Sequence, residues 1–427
     1  MRDILVAVII LALLPFSLFR PTYGAMVYAW VGLMNPHRLS WRMADAPVGL
    51  AVALATIGGA VFTKSFRQLP MKATTVVLLL FLLYTTFTTY EALSQAEAWP
   101  YWNRFAKVLL MCFVTMMLLQ DRRLLESFLW VCMASVGFYG VKGGIFSLAT
   151  GGSYRVWGPP GSWIEGNNEL AVAELMILPL MLYFARRAEK NWQRLAYWAA
   201  ISFTMISILF SYSRGALVAF GGVAALMIVR SRYRIQAALV AIVVGALMFS
   251  LAPTSWTERM FSIGGYQQDE SAMGRINAWH FATNLAKDRL IGGGFRTFTK
   301  ELFLEYAPDP TDVHDAHSIY FEVIGEQGFP GLFLYLFIMG TTLARLESLR
   351  RKGRRNQAIA WVGDLAEMLQ FGVIAFAIGG AFLGLAYLDL YFYLVIAAIL
   401  LELVAQRELS SRAVPALPLG GPLPAAT

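Results

Sequence analysis

Charged residues are scarce in this chain. Asp, Glu, Lys and Arg make up 15% of its 427 residues, against about 25% in ordinary soluble domains, while 58% are hydrophobic and the mean hydropathy is +0.56. A water-soluble fold is excluded by that balance. Cysteine is nearly absent too: Cys112 and Cys132 both sit inside apolar runs, where cysteine packs as a small hydrophobe, so neither a disulfide framework nor a cysteine metal site is expected. Histidine occurs four times, and three of the four (His280, His314 and His317) fall between Pro253 and Gly331. No internal repeat is visible.

What the chain has instead is apolar runs of membrane length. About 20 apolar residues cross a bilayer as a helix, and thirteen candidate runs can be marked between residues 3 and 405. The second, Thr22 to Met34, is short for a span and reads as re-entrant or interfacial. Setting it aside leaves about 12 transmembrane helices with both termini inside. Counting it gives thirteen and an outside N-terminus. The start, MRDILVAVIILALLPFSLF, has the shape of a signal peptide, but no clear small-residue cleavage site follows, so it reads as an uncleaved first helix.

The formal charge of +8 need not imply nucleic acid, because the basic residues cluster in loops between apolar runs. Lys64, Arg67 and Lys72 form one group, Arg186, Arg187, Lys190 and Arg194 another, and Arg345 to Arg355 the densest. The positive-inside rule places these in the cytoplasm. Three segments then fall outside: GGSYRVWGPPGSWIEGNNE, too rich in Gly and Pro for a helix; the tight turn SYSRG; and the loop after Pro253. Four parts follow: membrane helices over 1–252, a periplasmic loop over 253–317, membrane helices over 318–408, and a flexible tail over 409–427. Within the loop, MGRINAWHFATNLAKDRL spaces Ile276, Trp279, Ala282 and Leu285 as one face of a helix lying near the membrane.

Several residues in these outer segments can carry chemistry. Arg214, between two apolar runs, is either an interfacial residue snorkelling to headgroups or a bidentate phosphate clamp, and position alone leaves both open. Arg275 opens the loop helix, where the helix dipole disfavours a cation unless an anion is near. His317 follows Asp315, which could cap a helix whose first turn holds the histidine; near its ordinary pKa such a histidine accepts a proton at neutral pH. His314 and His317 with the nearby aspartates lack the ligand spacing of a metal site. His280 reads as packing. Asn167 or Asn168 suits a helix cap, and Glu174, inside the same run, suggests an internal polar cavity. The candidate substrate-binding residues are Arg155, Asn168, Glu169, Tyr212 and His314.

SYSRGALVAF around Arg214, GRINAWHFA around Arg275, GGGFRTF, and DAHSIYFEVIGEQGFPGLFLYL around His317 together resemble the O-antigen ligase and polymerase superfamily. In the last segment Ser318, Glu326, Gly328 and Gly331 carry the likeness. The N-terminal half, with GPPGSWIEGNNELAVAELMILPLM, is similar to a subgroup described as O-glycosylation ligases. The resemblance implies an all-α polytopic membrane protein of GT-C-like architecture in the bacterial inner membrane, with its active site facing the periplasm. It further implies transfer of a glycan from undecaprenyl pyrophosphate to a hydroxyl of lipid A-core, without metal or other cofactor. On that reading Arg214 and Arg275 hold the pyrophosphate and His317 takes the acceptor's proton, with inversion at the sugar carbon. A polymerase or a protein O-oligosaccharyltransferase shares the donor. A transporter is the rival of another class, but Glu174 and Asp389 are the only mid-span acids besides Glu402, and the two halves do not match.

Overall fold

The computed structural model describes residues 2–251, 253–254, 256–257 and 270–413, and among these the regular structure is helical throughout. The expected tail is outside the described residues from 414 onward, as is 258–269 of the expected loop. Among the described residues, seven helices are long and apolar enough to cross a membrane. Two of the remaining apolar runs form helices shorter than a usual span: α2 (Pro21–Met34), after α1 (Arg2–Phe19), has 14 residues, and α3 (Val48–Phe62) has 15. The described helices support a polytopic helical membrane protein, and the expected number of about 12 spans is neither reached nor overturned by length and composition alone.

The helices continue with α4 (Ala73–Tyr90), α5 (Gln95–Leu118), α6 (Arg122–Ala149), α7 (Asn167–Arg187), α8 (Asn191–Leu209), α9 (Arg214–Arg230) and α10 (Arg234–Leu251). Two shorter polar helices, α11 (Glu270–Asp288) and α12 (Lys300–Tyr306), precede α13 (Ile319–Arg355), α14 (Ala360–Gly379) and α15 (Asp389–Ala413). Local chemistry sets several boundaries. Asp121 caps α6 by accepting from the Leu124 N–H at 3.0 Å, and Ser213 caps α9 by accepting from Ala216 at 3.2 Å.

Apolar residues on all sides of a helix mean that it is surrounded. In α15 every residue from Leu390 to Leu401 is at most 1% exposed, and α2, α5, α6, α13 and α14 pack on it. Helix α1 is equally apolar yet peripheral, with Ile4, Leu5 and Leu11 more than 60% exposed. Such a face is stable only against lipid. The short α2 packs on α1, α3, α5 and α6, most of its residues buried.

At 37 residues, α13 is about 55 Å long, well beyond a hydrocarbon core of about 30 Å. It breaks at Gly328, whose φ of 66° is left-handed, just before Pro330. The freed carbonyls find partners elsewhere. Gly293 and Gly294 donate to Gly325 and Glu326, each at 2.8 Å, and the Tyr84 hydroxyl donates to Gln327 at 2.8 Å. A Cβ on Gly328 would lie 1.9 Å from the Leu290 carbonyl oxygen. The GGGF loop and the Gly of E-Q-G are thus one interlocked joint.

The far end of α13 gathers the basic groups. Arg350 pairs with Glu347 at 2.7 Å, Arg354 with Glu367 at 3.0 Å and Arg345 with Glu402 at 2.8 Å, and Arg230 approaches both Glu347 and Glu367. At the opposite end, the irregular 150–166 segment, the 210–213 turn and the 307–318 loop come together.

Candidate active site

The 210–213 turn is joined by specific bonds to the 150–166 segment and to the start of α7. The Tyr212 hydroxyl donates to the Gly152 carbonyl at 2.8 Å, and the Asn167 amide donates to the Ser211 carbonyl at 2.7 Å. Asn167 therefore ties α7 to the turn before Arg214 instead of capping its own helix, whose N-cap is Gly166. Gly215, next to Arg214, lies close to Phe382 beyond α14.

Helix α11 is bolted to the loop that carries His317. The Asn277 amide donates to the carbonyls of Asp309 (2.8 Å) and Asp312 (2.9 Å) and accepts from the Asp309 N–H at 2.9 Å. Trp279 donates from its indole to the Ala316 carbonyl at 2.8 Å and stacks on Phe321, with ring centroids 4.8 Å apart. The buried face of α11 is Ala278, Phe281, Ala282, Leu285 and Ala286. It is rotated from the expected spacing of three, because Trp279 turns toward the His317 loop and Ile276 is only half-buried. His280, expected to pack, is exposed.

His317 does not lie in the helix, as the sequence suggested. Ser318 is the N-cap, α13 begins at Ile319, and Asp315 is exposed in the loop. His317 stands just before the cap with φ 43°, a left-handed conformation that costs a non-glycine residue about 1–3 kcal/mol. Tyr212 and Arg296 share this feature, with φ of 61° and 63°. Burial holds the His317 pKa below its ordinary 6.5; the charge of Arg275 acts the same way, and Asp315 opposes them. The ring is therefore neutral and able to accept a proton at pH 7.

Arg275 lies within electrostatic reach of both His317 and Glu169. A cavity of about 670 Å³ opens beside them, lined by Glu169 and His317. Its carboxylates are Glu97, Glu169, Glu301, Asp315, Glu322 and Glu326, against two cations, Arg104 and Arg296. One wall alternates aromatic rings with guanidinium groups. Arg296 lies over Tyr101 at 4.7 Å, Arg104 lies over Trp163 at 3.8 Å, and the two rings meet edge-on at 6.1 Å. Glu326 accepts from the Arg296 backbone N–H at 2.8 Å, and Glu322 accepts from the Ala386 N–H at 2.9 Å. Aromatic faces beside carboxylates suit the apolar faces and hydroxyls of sugars.

Of the residues expected from sequence, His317, Arg275 and Glu169 are brought together. His314 pairs with Asp312 at 2.9 Å and packs against Gly274, beside Arg275. Arg214 starts α9 and stands with Tyr212 outside the lining of this cavity; Asn168 is half-buried at the start of α7, and Arg155 is exposed. Glu174 is buried and accepts from the Ser207 hydroxyl at 3.1 Å. Arg104, Tyr101 and Tyr387, which also line the cavity, carry no local motif in the sequence, and Trp163 lies in the GPPGSWIEGNNE segment without standing out there. Sequence reasoning quoted GGGFRTF without singling out Arg296, although the glycines before it were a usable signal.

Comparison with known families divides the chain in two. Residues 1–189 match a family of unknown function, and residues 197–336 match a family described as O-antigen ligase. No curated protein matches the chain.

Proposed function

We propose that this chain, which residues 197–336 make a member of the O-antigen ligase superfamily, moves a glycan from undecaprenyl pyrophosphate to a hydroxyl of lipid A-core. The observation that supports the reading is that His317 lines the cavity with Glu169 while Arg275 lies within electrostatic reach of both. A neutral imidazole, a fixed guanidinium and a hydroxyl-binding cavity are the parts that such a transfer needs.

In the proposed step the acceptor oxygen attacks the anomeric carbon as its proton passes to His317. The bond from that carbon to the pyrophosphate oxygen breaks, and the electron pair leaves with the lipid pyrophosphate. Arg275, with Arg214 contributing from the start of α9, stabilises the growing charge on that leaving group. Asp315 favours the imidazolium once it forms. Attack opposite the leaving group inverts the anomeric carbon, and pyrophosphate leaves readily enough for the scheme to proceed without a metal. The basic end of the bundle then faces the cytoplasm of a bacterial inner membrane and the site faces the periplasm.

The test is a transfer assay with purified protein, lipid-linked glycan and lipid A-core, run with EDTA and repeated with His317→Ala. Glycan moved onto lipid A-core by the wild type alone is the expected result. Glycosylated protein or longer lipid-linked chains in parallel tubes would reassign the acceptor while keeping the chemistry, and loss of transfer in EDTA would overturn the metal-free scheme.

A further inference from the structure

A second cavity, of about 240 Å³, adjoins the first and shares Arg104 and Trp163 with it. Its charge is opposite. Arg38, Arg104 and Lys107 line it against a single carboxylate, Asp389. Arg104 feels the attraction of Asp389 and, more weakly, the repulsion of Arg38, and among the described residues no carboxylate oxygen lies within ion-pair distance of Arg38, Arg104 or Lys107.

This cluster is built and not incidental. Arg38 is held by the irregular 150–166 segment, where its Nη1 donates to the Pro160 carbonyl at 3.4 Å. A Cβ on Gly161, whose φ is 68°, would lie 1.9 Å from that same nitrogen, so glycine there leaves the room that the guanidinium fills. Arg104 is fixed by its stacking on Trp163. His37 also lines the cavity; it is 7% exposed, and its Nδ1 has no hydrogen-bond partner among the described residues. A buried ring nitrogen without a partner is costly and marks a place where a ligand atom belongs.

We infer that this cavity binds a phosphate ester, with Arg38, Arg104 and Lys107 on its oxygens and His37 Nδ1 on one of them. Two guanidinium groups and an ammonium around one small space suit a tetrahedral anion of more than one charge. Pockets for whole small ligands run from about 300 Å³ upward. This one therefore takes a headgroup, and a glycan chain stays in the larger cavity. The phosphate belongs either to a phosphorylated sugar or to a lipid headgroup. Only the placing of a glycan in the larger cavity rests on the transfer reaction proposed above; phosphate binding here is measured without that reaction.

Calorimetric titration of the purified protein in detergent tests this with three probes: glucose 1-phosphate, short-chain phosphatidic acid and glucuronate. At least one phosphate ester binds, and glucuronate binds more weakly. Lys107→Gln lowers the phosphate affinity about tenfold, whereas Asp389→Asn, which removes the opposing charge, raises it. Binding of the sugar phosphate alone assigns a glycan phosphate, and binding of the lipid alone a headgroup. Absence of binding by both esters, equal binding of glucuronate, or affinity that neither substitution moves would overturn the assignment. A matching melting temperature for Asp389→Asn and wild type excludes unfolding as the cause.

Discussion

The indole of Trp279 donates to the carbonyl of Ala316 at 2.8 Å, and this one bond joins the helix carrying Arg275 to the residue before His317. Trp279→Phe keeps an aromatic ring to stack on Phe321 but deletes the donor. The lost bond is worth about 1 kcal/mol, and a loosened His317 loop multiplies the effect on transfer. Expected is a fall of about tenfold or more in kcat/KM with a melting temperature within a few degrees of wild type. Unchanged kcat/KM would mean that the stacking on Phe321 and the Asn277 bonds set the loop without this donor.

The pH profile follows from His317. Burial first, and then Arg275, hold its pKa below 6.5, so the acid limb of kcat/KM lies below that pH. Removing the neighbouring cation restores proton affinity: Arg275→Gln moves the limb of its residual activity upward, whereas Arg275→Lys leaves it near the wild-type position. The same shift has a stability consequence. With the folded pKa below the unfolded one, the histidine's contribution is present above about pH 6.5 and is lost as pH falls through the folded pKa. A wild-type limb above pH 6.5 would remove His317 as the base.

Arg214 and Lys at the same position differ in geometry, not charge. If the fork of Arg214 contributes to holding pyrophosphate, Arg214→Lys raises KM for the lipid-linked donor at least about tenfold. Steady-state kinetics with varied donor measures this directly. Wild-type kinetics in the lysine variant would leave Arg214 as a headgroup anchor.

Much of this architecture is legible in the sequence, for definite reasons. The membrane helices follow from apolar runs, and the three irregular segments follow from their Gly, Pro and polar content. Arg275 and His317 both stand out through short motifs, but only His317 adjoins a helix start; α11 is already helical at Glu270, so Arg275 lies inside it and does not open it. What the sequence hid is whatever depends on distant packing. Arg104 comes from α5 and reaches the site only because Trp163, in the 150–166 segment, lies under its guanidinium. The sequence puts His317 in the first turn of its helix because Asp315 is a good capping residue by type, while the backbone takes Ser318, three residues later, and leaves His317 just before the cap. Asn167 likewise looked like a cap, and spends its amide on Ser211.

Gly328 tests the joint in α13. With φ at 66° and the Leu290 carbonyl in the space of a side chain, Gly328→Ala is expected to cost about 2 kcal/mol or more. The strain falls on the loop that leads through Gly294 to Arg296, so transfer falls along with the melting temperature. Full stability in the alanine variant would show that the break relaxes without harm.

Glu326 separates structural support from chemistry at the cavity wall. Its Oε1 accepts from the Arg296 N–H at 2.8 Å and holds that residue in its left-handed conformation. A glutamine offers the same acceptor without the charge, and an alanine offers none. Glu326→Gln is therefore expected to keep the melting temperature and most of the transfer rate, whereas Glu326→Ala loses about 1–3 kcal/mol of stability, since the N–H is left unpaired, and most of the activity. If glutamine were as damaging to transfer as alanine while the fold stayed intact, the charge of Glu326 would be acting on substrate. Its place beside Glu322 and Arg296 in the cavity lining would then make it part of the catalytic machinery, and the support it gives to Arg296 would be secondary.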